Sequence, residues 1–231
     1  MKKIGLIGGL SWQSSVDYYR IINDESNRRL GNNSTIESIM YTTDLHHKLS
    51  LVYEDKIDQL EKEFAEIAQS LEKAGAGVVV ICSNTMHLAF DAAAKSINVP
   101  MIHIVDSTAK EIKRQGLSKV ALLGTTFTMT QPFYIRRLKD IYDIDVIVPT
   151  PQEMEEIMRI IVEELTFNIL TDSSRKFYVD VIQRLKGEGA QGVILGCTEI
   201  PMLIKQKDSP IPVFDTTELH ALAALNLAME E

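Results

Sequence analysis

Two stretches of this 231-residue chain end an apolar run on residue types that can move a proton. Val193-Ile194-Leu195-Gly196 runs into Cys197, followed by Thr198, Glu199 and Ile200, and Val78-Val79-Val80-Ile81 runs into Cys82, Ser83, Asn84 and Thr85. A strand that stops this way and turns directly into a helix presents its last side chain at the crevice above a parallel sheet, beside unpaired helix N-terminal N–H groups. Such a setting lowers a thiol's pKa and makes it a usable base or nucleophile. A single cysteine in an apolar run is otherwise read as a small buried residue. The second copy of the design is what argues for chemistry.

Short apolar strands must alternate with amphipathic helices to place these ends, and the chain does alternate in this way, the pattern of an α/β protein with largely parallel sheets. Ile4 to Gly8 reads as the first strand, Trp12 to Arg29 as a helix closed near Gly31-Asn32-Asn33, and Ile36 to Thr43 as a second strand. From Tyr53 onward, Ile57, Leu60, Phe64, Ile67 and Leu71 recur at helical spacing, with Asp55, Asp58, Lys62 and Glu66 on the other face. Gly75-Ala76-Gly77 ends that helix. The Cys82 strand follows with a helix to about Ser96, then a short strand over Val99-Pro100-Met101-Ile102 and a helix from Ser107 to Arg114.

At Lys119 the pattern begins again. Lys3-Ile4-Gly5-Leu6-Ile7-Gly8 superposes on Lys119-Val120-Ala121-Leu122-Leu123-Gly124 at an offset of 116, with Tyr18 opposite Tyr134. Gly75 to Ser83 superposes on Gly189 to Cys197 at 114, and Val99 to His103 on Ile211 to Asp215 at 112. Three matches in one order are an internal duplication. The expected architecture is α/β, two pseudo-symmetric lobes, each a mostly parallel sheet flanked by helices, with the active site in the cleft between them. Lobe one comprises residues 1–115 plus 215–231, and lobe two residues 116–214.

A net charge of -8 argues against nucleic acid, which needs a basic stripe, and against an anionic membrane surface. No apolar run approaches the roughly 18 residues of a membrane helix. Met1-Lys2-Lys3 precedes no signal-peptide core, because Ser11, Trp12, Gln13 and Ser14 follow at once. With only two cysteines, both at strand ends, a cytoplasmic setting is expected over a disulfide-framed secreted one. Asp44, His46, His103 and His220 share no metal-ligand spacing, so no metal site is expected. Gly5, Gly8 and Gly9 follow a strand but miss the G-x-G-x-x-G fingerprint of a dinucleotide site.

Cys82-Ser83-Asn84-Thr85-Met86-His87 and Gly196-Cys197-Thr198-Glu199-Ile200, with Gly8-Gly9-Leu10-Ser11-Trp12 and Leu123-Gly124-Thr125, resemble the aspartate/glutamate racemase family over essentially the whole chain. The resemblance implies a cofactor-independent amino-acid racemase, free of pyridoxal phosphate, acting on aspartate and/or glutamate. It also implies a homodimer, a C-terminal helix that returns to the first lobe, and two thiols facing the substrate Cα, one removing its proton and the other supplying one from the far side. Without a cofactor the carbanion needs donors aimed at the substrate carboxylate. Asn84, Thr85 and Thr198 stand at helix N-termini that favour an anion, where plain N-capping is a compatible role. Leu10 and Thr125 join the substrate-binding set through the resemblance alone.

In much of the family a thiol immediately precedes the Asn-Thr pair; here that position is Ser83, and Cys82 lies one residue earlier. The duplication also pairs Ser83 with Cys197, and successive strand side chains point to opposite sides. Ser83 is therefore read as the proton-relay residue of the first wall, Cys197 as the thiol of the second, and Cys82 as core. Glu199 either points away and caps its helix or accepts a proton. His87, four residues past Ser83, suits support from within the helix. Lys48, Arg136 and Arg159 are candidate cations for an acidic substrate that spacing does not place. The rival readings are a single-cysteine decarboxylase or cis-trans isomerase of the same superfamily, and a small-molecule-binding protein without catalysis.

Overall fold

The computed structural model describes residues 1–230; position 231 of the expected closing segment lies outside them. In chain order the elements are β1 (Lys3–Gly8), α1 (Trp12–Leu30), β2 (Ser38–Thr42), α2 (Leu45–Tyr53), α3 (Ile57–Lys73), β3 (Ala76–Ile81), a 3-10 turn (Thr85–Ala89) and α4 (Phe90–Lys95). There follow α5 (Ile104–Arg114), β4 (Lys119–Gly124), α6 (Thr126–Thr130), α7 (Pro132–Tyr142), β5 (Asp145–Ile147), α8 (Pro151–Glu163) and α9 (Asp172–Gly187). The chain closes with β6 (Val193–Gly196), α10 (Ile200–Leu203), β7 (Val213–Asp215) and α11 (Thr216–Met229). Two compact units result, one formed by Met1–Ile104 with the segment from Thr217, the other by Val105–Thr216.

The first unit holds a parallel sheet in the order β2-β1-β3, the second a parallel sheet in the order β5-β4-β6-β7. Central strands are apolar end to end because both faces of a parallel sheet are covered: Ile4 to Gly8 and Val120 to Gly124 are all buried. The duplication is visible in the registers. Leu6 pairs with Val80 and Leu122 with Ile194; Ile7 pairs with Ile81 and Leu123 with Leu195. These are equivalent positions at the two offsets read from the sequence. Even the turn before each strand repeats, with Gly75 at φ +96 and Gly189 at φ +98, backbone that a side chain would strain.

Local signals explain the helices. Ser11 caps α1 by accepting from the Ser14 N–H, and Gly31 closes it at φ +72. In α3 the face Leu60, Phe64, Ile67, Ala68 and Leu71 is buried, as its spacing requires. Thr150 and Glu153 form a reciprocal capping box at the start of α8, with Pro151 in its first turn. Helix α11 returns to the first unit. Its Ala221, Ala224, Leu225 and Ala228 pack with Ile4, Leu6, Tyr18, Ile22, Val78 and Val80 in one core cluster.

Four expectations need correction. The second strand is shorter than Ile36 to Thr43, and Asp44, by accepting from the His46 N–H, starts the unforeseen helix α2. Val99 to Ile102 is no strand but a single parallel bridge, Val79 to Met101. The proline explains this, since Pro100 has no N–H to give and contributes only its carbonyl, to Val79 N–H at 3.0 Å. Past Ile81 the chain makes a 3-10 turn before any α-helix forms, and past Cys197 the helix α10 is four residues long. Neither strand therefore turns directly into a long helix.

Candidate active site

Strand alternation sorts the first motif. Val78, Val80 and Cys82 share one face and lie in the same core cluster, where burial pushes the Cys82 thiol above its ordinary range. Ser83 has the opposite parity. Its N–H returns to Ile81 O at 2.9 Å, its Oγ accepts from Met86 N–H at 3.4 Å, and among the described residues its own hydroxyl hydrogen has no acceptor. The loop after β1 is tied to the same strand end: Ser14 Oγ donates to the Cys82 carbonyl at 2.8 Å, and Gly9 N–H donates to Ser15 Oγ at 2.8 Å. Leu10, between them in sequence, is buried.

A test of this sorting is Cys82→Ala. Turnover is expected to persist, and the unfolding free energy to fall by about 1 kcal/mol, the loss of one buried heavy atom and the small cavity it leaves. Lost turnover in a protein that unfolds near the native midpoint would put Cys82 in the chemistry instead.

Cys197 ends the equivalent strand of the second unit, buried at 8% exposure. Its Sγ donates to Glu199 Oε2 at 2.9 Å, and Thr198 Oγ1 donates to the same oxygen at 2.8 Å. The expectation of a lowered thiol pKa is overturned. Burial first, then the negative charge of Glu199 and the hydrogen bond to it, push the Cys197 thiol well up, against the smaller opposing pull of the Glu199 and Thr198 N–H groups. Glu199, itself buried, makes no side-chain cap for α10. The carboxylate lies instead against the thiol and the Thr198 hydroxyl.

The remaining expected residues divide. Asn84 is buried and helical in backbone, with no capping bond from its side chain, and Thr85 opens the 3-10 turn. Thr125 does cap α6, accepting from the Thr128 N–H at 3.2 Å. Lys48 is buried in an ion pair with Glu63, under the ring of Phe64, and Arg159 binds Glu156, Glu163 and Glu164, so both are held by carboxylates of their own unit. Arg136 lies exposed on α7.

Sequence spacing missed two groups. His87, His103 and His220 meet in the first unit, with His87–His103 ring centroids 4.6 Å apart and His87–His220 5.5 Å, although His220 is remote in sequence. Tyr178 on α9 is buried, and among the described residues its hydroxyl has no hydrogen-bond partner. Burial raises its pKa, and the negative charge of Cys197 adds to the rise, which places the phenol in the thiol's electrostatic neighbourhood. No short-range sequence pattern announces either. Among the described residues, no three His, Cys, Asp or Glu are arranged to hold a metal, and no helix is long and apolar enough to cross a membrane.

A repeated parallel α/β unit, with a serine just past one sheet's strand end and a cysteine at the equivalent place in the other, defines a class, and comparison of sequences identifies it. The sequence model of the Asp/Glu/hydantoin racemases matches residues 7–224, and the chain belongs to that family, a family of isomerases that racemise amino acids. It is similar to the crystal structure of an aspartate racemase homologue from Pyrococcus horikoshii, at 39% identity and a TM-score of 0.88, covering 100% of both chains. A candidate Asp/Glu racemase from Yersinia pestis matches at 43% identity and a TM-score of 0.95, again over 100% of both chains. The broad specificity amino-acid racemase RacX of Bacillus subtilis is 24% identical over 69% of this chain and 68% of its own length. The glutamate racemase of Aquifex pyrophilus is 26% identical over 75% of this chain and 67% of its own.

Proposed function

We propose that the protein is a cofactor-independent amino-acid racemase, acting on aspartate and/or glutamate, that moves the Cα proton between Cys197 and an opposite wall at Ser83. The observation that carries the proposal is the Cys197–Glu199 pair, a thiol at a strand's carboxyl end donating to a buried carboxylate at 2.9 Å. A thiol whose own pKa is raised is a poor base in isolation. Transfer of its proton to Glu199 supplies the thiolate, and the thiolate then takes the substrate's Cα proton. On the other face the Ser83 hydroxyl passes a proton of solvent origin to the carbanion, giving the opposite enantiomer. Asn84, Thr85 and Thr198 are the donors assigned to the substrate carboxylate, with Thr125 and the Leu10 loop closing the site, so that charge developing at Cα meets fixed dipoles.

The equivalence of Ser83 and Cys197 in the two registers supports their pairing across one substrate. Support for an acidic substrate comes from the names of relatives, an aspartate racemase homologue and a glutamate racemase, while RacX is named for broad specificity. The test is to incubate each L- and D-amino acid with dialysed, chelator-treated protein in deuterium oxide, and to follow enantiomers by chiral chromatography and Cα deuterium by mass spectrometry. Inversion of aspartate or glutamate with deuterium uptake is the expected result. Carbon dioxide released from a substituted malonate, without inversion, would select the decarboxylase; ligand-induced thermal stabilisation with no turnover would select the binding protein.

A further inference from the structure

We infer that His87 is a positioning residue, which holds the Ser83 peptide in place and thereby aims the Ser83 hydroxyl; this role rests on the racemase reading above. The bonds define the ring's protonation. His87 Nδ1 lies 2.6 Å from the Ser83 carbonyl, which can only accept, so Nδ1 carries the hydrogen. Its Nε2 lies 3.1 Å from the Ile104 N–H, which can only donate, so Nε2 is bare. His87 is thus a neutral Nδ1–H imidazole spanning from the end of the catalytic strand to the start of α5. His220 carries the opposite tautomer. Its Nε2 lies 2.8 Å from the Ile102 carbonyl, which can only accept, so Nε2 donates, and in the neutral ring Nδ1 then accepts from the Tyr18 O–H at 2.6 Å. The two rings therefore grip the backbone on either side of His103, whose own ring meets His87 at a tilt and Phe90 edge-on, each centroid 4.6 Å away.

The consequence falls on Ser83. Past the end of β3 at Ile81 the backbone is held by Cys82 N–H on the Ile7 carbonyl and Ser83 N–H on the Ile81 carbonyl, each at 2.9 Å, by Ser14 Oγ on the Cys82 carbonyl, and by His87 Nδ1 on the Ser83 carbonyl. Without the imidazole the Ser83 carbonyl loses its bond to Nδ1, and the Ser83–Asn84 peptide, with the hydroxyl it carries, is less firmly aimed. Cys197 and the Glu199 carboxylate it donates to belong to the other unit, whereas the grip on Ser83 is built within the first. Loss of the tether therefore damages delivery of a proton from the Ser83 side far more than removal of a proton at Cys197.

The experiment compares two rates in deuterium oxide, Cα deuterium uptake and inversion, in wild type and in His87→Phe, His87→Asn and His87→Gln. His87→Phe is expected to slow inversion about 100-fold, the scale of a displaced reacting group, while uptake at the Cys197 face stays within a few-fold. His87→Asn, whose amide nitrogen sits where Nδ1 was, is expected to restore most of the ratio of inversion to uptake; His87→Gln, whose amide reaches the Nε2 position, is not. A merely structural role lowers both rates by one factor, the folded fraction, and that result, or equal behaviour of Asn and Gln, would overturn the inference. If the variants fail to fold, side-chain 1H–15N correlation spectra of the wild-type protein decide: the Nδ1–H tautomer at His87 is required, and an Nε2–H tautomer overturns the tether. A wild type that neither exchanges nor inverts any amino acid overturns the racemase reading itself. A wild type that does both, while the variants lose both equally, overturns the role of His87 alone.

Discussion

Replacing Cys197 by alanine is expected to remove Cα deuterium uptake and inversion together, by about 10²–10⁴-fold, the range that a positioned acid–base group contributes. Ser83→Ala is expected to behave differently. A hydroxyl, whose pKa lies far above a thiol's ordinary value of about 8.5, relays a proton to a carbanion but is a poor base for removing one. Uptake at the Cys197 face should therefore continue in part while inversion slows. The wild-type enzyme is expected to be lopsided for the same reason, with the larger kcat for the enantiomer whose proton faces Cys197. The two enantiomers have equal free energy, so kcat/KM must be the same in both directions, and the slow direction must show the lower KM. Ser83→Cys is expected to narrow the difference in kcat. Initial rates from each enantiomer check all of this. Full two-way activity in Ser83→Ala would remove the serine from the mechanism.

Glu199→Gln is expected to move two observables in opposite directions. The carboxylate raises the Cys197 pKa through its charge and its hydrogen bond. The amide keeps an acceptor near Sγ but carries no charge, so the thiol pKa falls, and at a fixed pH below it each unit of that fall gives about ten times more thiolate. Alkylation of Cys197 by iodoacetamide should accordingly speed up, with its pH profile displaced to lower pH. Turnover should fall by about 10²-fold, because the amide cannot take the thiol's proton. Faster alkylation with unchanged or faster turnover would make Glu199 a brake on the thiol and not its proton acceptor. For the alkylation rate alone Thr198→Val provides a control, since it removes one donor to Glu199 Oε2 and leaves the charge.

Much of this architecture was written locally. The apolar runs at Ile4, Val78, Lys119 and Val193, with the spacing of α3, specify parallel strands and amphipathic helices. The offsets of 116 and 114 specify that the two sheets share a register, which the pairs Leu6–Val80 and Leu122–Ile194 display. Strand alternation was enough to send Cys82 to the core with Val78 and Val80, since period two is a property of the backbone. The α2 helix and the loss of a strand at Pro100 were less legible, for short segments follow caps and missing donors more than periodicity.

What only the tertiary structure decided is the chemical state of the site. Chain order suggested that a helix start would lower the Cys197 pKa, but α10 is too short to supply a strong dipole, and burial beside Glu199 dominates. Sequence left Glu199 with two roles because the direction of a side chain after a strand end depends on a turn of three residues, and that turn brings Oε2 to the thiol. The histidines show the same limit more strongly. His87 and His220 share one buried cluster with Tyr18 only because α11 returns to the first unit, and a contact made across some two hundred residues of chain leaves no trace in local spacing.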